Sequence, residues 1–149
     1  WLTLLMTAME TMPIGVTISK VNQDDSKYPF FYVNKYFEKM SGRKRENLVG
    51  QPGTFLQTPS TLQAHGQINA LSEMNNSIKR NEQSTVLLVC DRYHSTVFRN
   101  MIGVKPVRNE HSGDVDFVIT IQIEVTADQF ADDVRLDTLM LLSALEDEC

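Results

Sequence analysis

The sequence predicts an α+β domain built on one five-stranded antiparallel sheet. Three observations carry that expectation. Two short β-type runs come first, at about 14–19 and 30–33. A cluster of short helical patterns follows, broken by glycine and proline. Three longer β-type runs then succeed one another through short links, which favour antiparallel neighbours. Such a chain places its short helices on one face of the sheet, with a helix flanking it at either end. The expected organisation is a flanking helix over 1–13, a core over 14–126 and a C-terminal helix over 127–149.

Each element has a local reason. Leu2, Leu5, Met6 and Met9 recur at helical spacing. Pro13 stops that helix, because the residue before a proline is pushed into extended geometry. Ile14, Val16 and Ile18 alternate along the first strand. A polar loop over 22–27 closes it, and Pro29 leads into Phe30-Phe31-Tyr32-Val33. Asn34 is placed to cap a short helix whose Tyr36, Phe37 and Met40 share a face. Ser41-Gly42 ends that helix, glycine suiting the left-handed turn. Leu48-Val49-Gly50 passes through a further turn. Residues 62–80 carry a weak helical stripe at Leu71, Met74 and Ile78, interrupted by Gly66 and the Asn75-Asn76 pair. Strands are expected over 85–90, 97–104 and 117–123, with Asn109 and Gly113 suited to a tight connection. A last helix is expected from about 128 to 145.

Composition narrows the function. The 149 residues are 42% apolar and 22% charged, ordinary for a globular protein. No apolar run approaches the roughly 20 residues of a membrane span. The opening Trp1–Met6 run lacks a basic leading region, so no signal peptide is expected. The chain does not begin with Met and is expected to be a piece of a longer protein. Cys90 and Cys149 make no disulfide framework and suit a reducing, cytoplasmic setting. His65, His94 and His111 are scattered, and no group of residues has zinc spacing. The net charge of −5 is uneven. Residues 127–149 hold Asp128, Asp132, Asp133, Asp137, Glu146, Asp147 and Glu148 against one base, Arg135. The near-neutral body shows no footprint for nucleic acid, and Lys44-Arg45 and Lys79-Arg80 are solvated pairs. No nucleophile–base pair, phosphate loop or paired carboxylates can be assembled, so no enzyme is expected.

From Gly15 to about Thr126 the chain resembles the light-oxygen-voltage (LOV) subclass of PAS domains. Phe31-Tyr32-Val33-Asn34-Lys35-Tyr36-Phe37 resembles that family's Ile-Tyr-Ala-Ser-x-x-Phe entry to the first core helix. Ser41-Gly42 followed by Glu46-Asn47-Leu48-Val49-Gly50 is similar to its Thr-Gly-Tyr-x-x-Glu-Glu-Ile-x-Gly. Phe98-x-Asn100 with Pro106-Val107-Arg108 resembles Phe-Trp-Asn and Pro-Met-Arg of the penultimate strand. Gly50-Gln51-Pro52-Gly53-Thr54-Phe55-Leu56-Gln57 falls where the family carries Gly-Arg-Asn-Cys-Arg-Phe-Leu-Gln.

The resemblance implies a flavin pocket that has lost most of its contacts. Gly53 stands at the photoactive cysteine, and glycine has no thiol with which to form a flavin adduct. Gln57, Asn100 and Gln122 keep amides at three flavin-type positions, Gln122 at the glutamine that senses the ring. Two ring asparagines are replaced by Pro52 and Cys90. One phosphate arginine is Thr54; the other falls near Asn75, with Lys79 or Arg80 as substitutes. A hydrogen bond to a charged group is worth about 1.5–3 kcal/mol. Loss of two arginine contacts then weakens flavin mononucleotide (FMN) binding by roughly two to four decades. No stoichiometric FMN is therefore expected. Cys90 is expected to be a small hydrophobe filling space. Some PAS domains bind haem, but no histidine here falls on a convincing core face, so none is expected.

The function implied is a non-catalytic sensory or regulatory domain inside a larger signalling protein. It is expected to mediate homodimerisation or effector contact, with no nucleic-acid or membrane partner. The alternative is a flavin or other small-ligand sensor that uses the residual pocket without adduct chemistry. The expected contact residues are Leu2, Leu5 and Met9 of the first helix, Ile119 and Ile121 of the last strand, and Leu139 and Leu142 of the last helix. Ile119, Ile121 and Ile123 alternate with Val118, Thr120 and Gln122, so the sheet has a second apolar face that needs a cover.

Overall fold

The computed structural model describes residues 1–22, 27–64, 66–93 and 96–146. His65, His94, Asp147, Glu148, Cys149 and the Thr54 side chain lie outside the described residues. The elements run α1 (Leu2–Met9), β1 (Gly15–Lys20), β2 (Phe30–Val33), α2 (Lys35–Ser41), α3 (Arg45–Leu48), a 3₁₀ turn (Gly53–Leu56), α4 (Pro59–Ala64), α5 (Ile68–Lys79), β3 (Ser84–Arg92), β4 (Thr96–Arg108), β5 (Val115–Glu124) and α6 (Ala131–Glu146). The five strands form one sheet in the order β2-β1-β5-β4-β3, every pair antiparallel. The expected fold class is the observed one. Among the described residues no helix is long and apolar enough to cross a membrane.

The differences from expectation have local causes. β4 continues past Val104 through Pro106, which pairs with Val118. β3 ends opposite Val104, so β4 is an edge from there on, where a strand tolerates proline. Residues 59–64 form a helix that its short, weakly apolar sequence does not announce. It is held from outside: Thr58 N–H donates to Asp91 at 3.0 Å, and the Thr61 hydroxyl donates to the same carboxylate at 2.9 Å. α5 persists through Asn75-Asn76 because Leu71 and Ile78 are buried in the main core, and packing outweighs intrinsic propensity.

Asn34 is the junction of the N-terminal half. It caps α2 by accepting from Phe37 N–H at 3.0 Å, and it also accepts from Val16 N–H at 3.0 Å. Its amide donates to Met9 O and Ile14 O, both at 2.9 Å. One buried side chain thus joins the end of α1, the start of β1 and the start of α2. Gly42 closes α2 at φ +69°, in the left-handed region.

A polar latch carries α1 round the edge strand. Tyr32 OH donates to Glu10, and Arg45 donates to Glu10 at 2.6 Å. Burial lifts the Glu10 carboxyl, but the hydrogen bonds from Tyr32 and Arg45 outweigh it and hold its pKa below the usual value. Burial, then the neighbouring Glu10, push the Tyr32 phenol upward.

The sheet has two covered faces. Phe37 of α2, Leu48 of α3 and Leu71 and Ile78 of α5 pack on the inner face with Leu88, Val104 and Val118. On the outer face α1 covers Val16, Ile18 and Ile119, while α6 covers Met101 and Ile123. This corrects four of the seven expected contact residues. Met9, Ile119, Ile121 and Leu142 are all within 2% of complete burial inside a single chain. Leu2 and Leu5 are half-buried against the same cluster. The two flanking helices cover the second face in cis, which leaves Met9, Ile119, Ile121 and Leu142 no surface for another molecule. Leu139 alone of the seven is exposed, at 41%.

Candidate functional site: an interior cavity with an amide cluster

The inner face of the sheet does not close completely against the helices. A cavity of about 630 Å³, its open mouth included, lies between β1, β4 and β5 on one side and α5 with the 3₁₀ turn on the other. Leu56, Leu71, Met74, Ile78, Ile102 and Val118 make most of the wall apolar. Strand alternation puts Thr17, Ser19, Thr120 and Gln122 on the same floor, since side chains two apart share a face. The exposed Lys27 and half-buried Tyr28 complete the lining. Tyr28 sits at φ +48°, unusual for a side chain of its size. Burial raises its phenol pKa.

The three amides expected at the site come together. Gln57 and Gln122 line the cavity, and Asn100 is fully buried beside them on the same sheet face as Ile102. Asn100 Nδ2 donates to Gln122 Oε1 at 2.6 Å. Gln122 Nε2 donates to the Thr120 hydroxyl at 2.9 Å, and Gln57 Nε2 donates to Cys90 Sγ at 3.1 Å. Asn100 Nδ2 also reaches the sulfur, at 3.8 Å. The cluster leaves one group over. Asn100 Oδ1 is buried and has no hydrogen-bond partner among the described residues.

Cys90 is buried and packs in the main core. Burial pushes its thiol up to about 11, against the smaller opposing effect of the two amide donors. Such a thiol is protonated at neutral pH and is a poor nucleophile. Gly53 opens the 3₁₀ turn and lines the cavity. A Cβ added there meets only Tyr28 O, at 3.9 Å, an ordinary contact.

Neither expected substitute cation reaches the site. Arg80 pairs with Glu82 at 3.1 Å in solvent, and Lys79 is exposed at the end of α5. Lys27 is the one cation among the described lining residues. It was read only as part of a polar loop, and its position depends on where β1 and β2 bring that loop. Thr17, Ser19 and Thr120 had a signal: they are the polar phase of strands whose other phase is isoleucine and valine. The lining offers amides, hydroxyls, a phenol and one amine around an apolar wall, a set that binds and orients a ligand.

Comparison with known proteins agrees with this architecture. A family model described as a PAS domain matches residues 13–127. The bacterioopsin transcriptional activator of Halobacterium salinarum is 29% identical over 119 residues, 80% of this chain and 16% of that protein. A blue-light photoreceptor of Listeria monocytogenes is 25% identical over 142 residues, 95% of this chain and 51% of its own length. The solved structure of an RNA-binding light-oxygen-voltage receptor superposes with a TM-score of 0.72 at 26% identity, covering 95% of this chain and 37% of that one. The chain thus spans about half or less of the length of each of these three proteins.

Proposed function

The chain belongs to the PAS domain family, and we propose that it is a non-catalytic sensory or regulatory module of a larger signalling protein, working without cysteine–flavin photochemistry. The observation that carries this reading is the amide cluster. Asn100 bonds Gln122, Gln122 bonds Thr120 and Gln57 bonds Cys90, so the amide donors at the cavity are already engaged within the chain. By the resemblance of residues 50–57 to the LOV motif, Gly53 stands in for the adduct-forming cysteine and supplies no thiol. One lysine at the lining is a weak substitute for two guanidiniums as a phosphate site, because only arginine presents a bidentate fork. The lining therefore does not fit a tightly held FMN. The signalling setting rests on relatives such as the Listeria photoreceptor, whose lengths exceed the matched domain. An effector domain elsewhere in a full-length protein, and a cytoplasmic location, belong to the same reading.

The test is the protein as purified. It is expected to lack the blue absorption band of an oxidised flavin and to release no flavin on denaturation. A yellow preparation with near-stoichiometric flavin overturns the expectation of an empty flavin site and decides for a flavin sensor.

A further prediction concerns Gly53→Cys. The space around Gly53 accepts a side chain, so the variant should fold. It should show no reversible blue-light bleaching, since the ring and phosphate contacts are still missing. Bleaching with dark recovery in this single variant would prove the pocket competent for flavin.

One observation favours a second reading, a flavin or other small-ligand sensor. The unpartnered Asn100 Oδ1 is a buried acceptor, and such a group costs about 1–3 kcal/mol until a donor reaches it. A mass spectrum of small molecules released from the purified protein separates the two readings.

A further inference from the structure

We infer that the solvent face of α6 docks a basic amphipathic helix of a partner protein, in preference to a second copy of this chain. The inference rests on the regulatory-module reading and names the chemistry of its contact.

α6 has two unlike sides. Val134, Thr138 and Leu142 are buried and seat the helix on the sheet at Gly103. The opposite side carries Leu136 at 61% exposure, Leu139 at 41% and Met140 at 72%. These lie at i, i+3 and i+4, so they form one continuous apolar stripe. That is the spacing with which one amphipathic helix engages another. Nothing in the chain's own fold requires apolar side chains there, because the docked side already supplies the packing.

Charge decides between the two occupants. Asp132, Asp133 and Asp137 are exposed around the stripe. The single base of the helix, Arg135, is half-buried and turned to the sheet, donating to Thr85 Oγ1 at 2.7 Å. The exposed charged side chains described on α6 are therefore the aspartates, with Arg135 half-buried against the sheet. A parallel second copy brings aspartates against aspartates, and like charges across a contact select against it; an antiparallel copy sets them against the uncharged stretch from Thr138 to Leu145, which offers no attraction. A helix with lysine or arginine beside its own apolar stripe meets opposite charge at the N-terminal half of α6, at Asp132, Asp133 and Asp137. Salt separates the cases as well. Screening weakens the basic partner's attraction and relieves the repulsion between copies.

The experiment uses the intact chain and two labelled peptides of about 18 residues, long enough to form a helix. Both carry leucine at i, i+3, i+4 and i+7; one has lysine at the remaining positions and the other glutamate. Fluorescence anisotropy is read at low and high salt, with light scattering of the protein alone under both conditions. The lysine peptide is expected to bind, more weakly at high salt, and the glutamate peptide is not. Leu136→Gln with Met140→Gln should weaken binding about tenfold. Leu4→Gln, at an equally exposed apolar site on α1, should leave it unchanged. The protein alone should scatter as a monomer. Equal binding of both peptides, no binding of either, or no loss in the α6 variant overturns the inference. A homodimer dissolved by Leu136→Gln with Met140→Gln overturns it in favour of a second copy. None of these readings depends on flavin absorbance, so this inference and the photochemical reading fail separately.

Discussion

Replacing Asn34 by leucine is expected to destabilise the fold by about 4 kcal/mol. The size follows from what the side chain does. Two backbone N–H groups, of Val16 and Phe37, lose their acceptor, and two carbonyls, of Met9 and Ile14, lose a donor. Loss of a helix cap alone costs about 1 kcal/mol. Each buried polar group left without a partner adds about 1–3 kcal/mol, partly relieved by local movement and water entry. Leucine is similar in size, so a cavity contributes little. Urea unfolding followed by circular dichroism should show a lower midpoint with an unchanged slope. A shift below about 1 kcal/mol would mean that water or backbone movement replaces all four bonds. Amide exchange should rise first at the α1–β1 junction, where three of the four partners lie.

Asn34 also shows how far the sequence could be read. Its role as a cap was legible, because an asparagine before an apolar helical stripe has a local signature. Its bonds to Met9, Ile14 and Val16 were not, since they depend on how α1 and β1 meet in space. The sheet was legible for a similar reason. Alternation and turn residues are local, and they placed all five strands to within a few residues at most ends. The alternation ends the fourth strand at Val104, whereas β4 runs on through Pro106, which is tolerated because β3 stops opposite Val104. α4 was missed because Asp91, far away in sequence, supplies its stabilising contacts.

The site was legible in part. Gln57, Asn100 and Gln122 were named from a resemblance, and the fold brings them within one cluster. The orphaned Asn100 acceptor was not foreseeable, since it is what remains after three amides choose partners. Lys27 was hidden by lying in a loop, whose position no periodicity reports. Four of the seven expected contact residues, Met9, Ile119, Ile121 and Leu142, are buried within the chain for a physical reason. An apolar strand face states that it needs a cover, but not whether the cover comes from the same chain. Here α1 and α6 provide it, and the far side of α6 keeps Leu136, Leu139 and Met140 exposed.

That division of α6 gives the sharpest contrast in stability. Leu142→Asp is expected to cost about 4–5 kcal/mol and Leu139→Asp less than about 1 kcal/mol, although the two positions are one turn apart. Leu142 is completely buried, and its side chain lies over Gly103, where an added Cβ would fall 2.9 Å from Leu142 Cδ1 and 2.6 Å from Thr138 Cγ2. Removing a buried leucine costs about 2–5 kcal/mol, and placing a carboxylate in the same seat adds an unpaired buried charge. α6 must then lift from the sheet or the domain must unfold. Leu139 is 41% exposed, so a carboxylate there stays in water and little packing is lost. Gly103→Val tests the seat from the other side. Its Cβ cannot enter without moving the helix, and such overpacking costs about 1–3 kcal/mol. Thermal and urea unfolding give the energies, while amide exchange along α6 separates local undocking from global loss. If Leu142→Asp and Leu139→Asp have equal effects, α6 does not sit on the sheet as described. A charged replacement of both leucines together reports on folding, because the Leu142 term dominates. Association is read cleanly only from Leu136 and Met140, which the fold leaves in solvent.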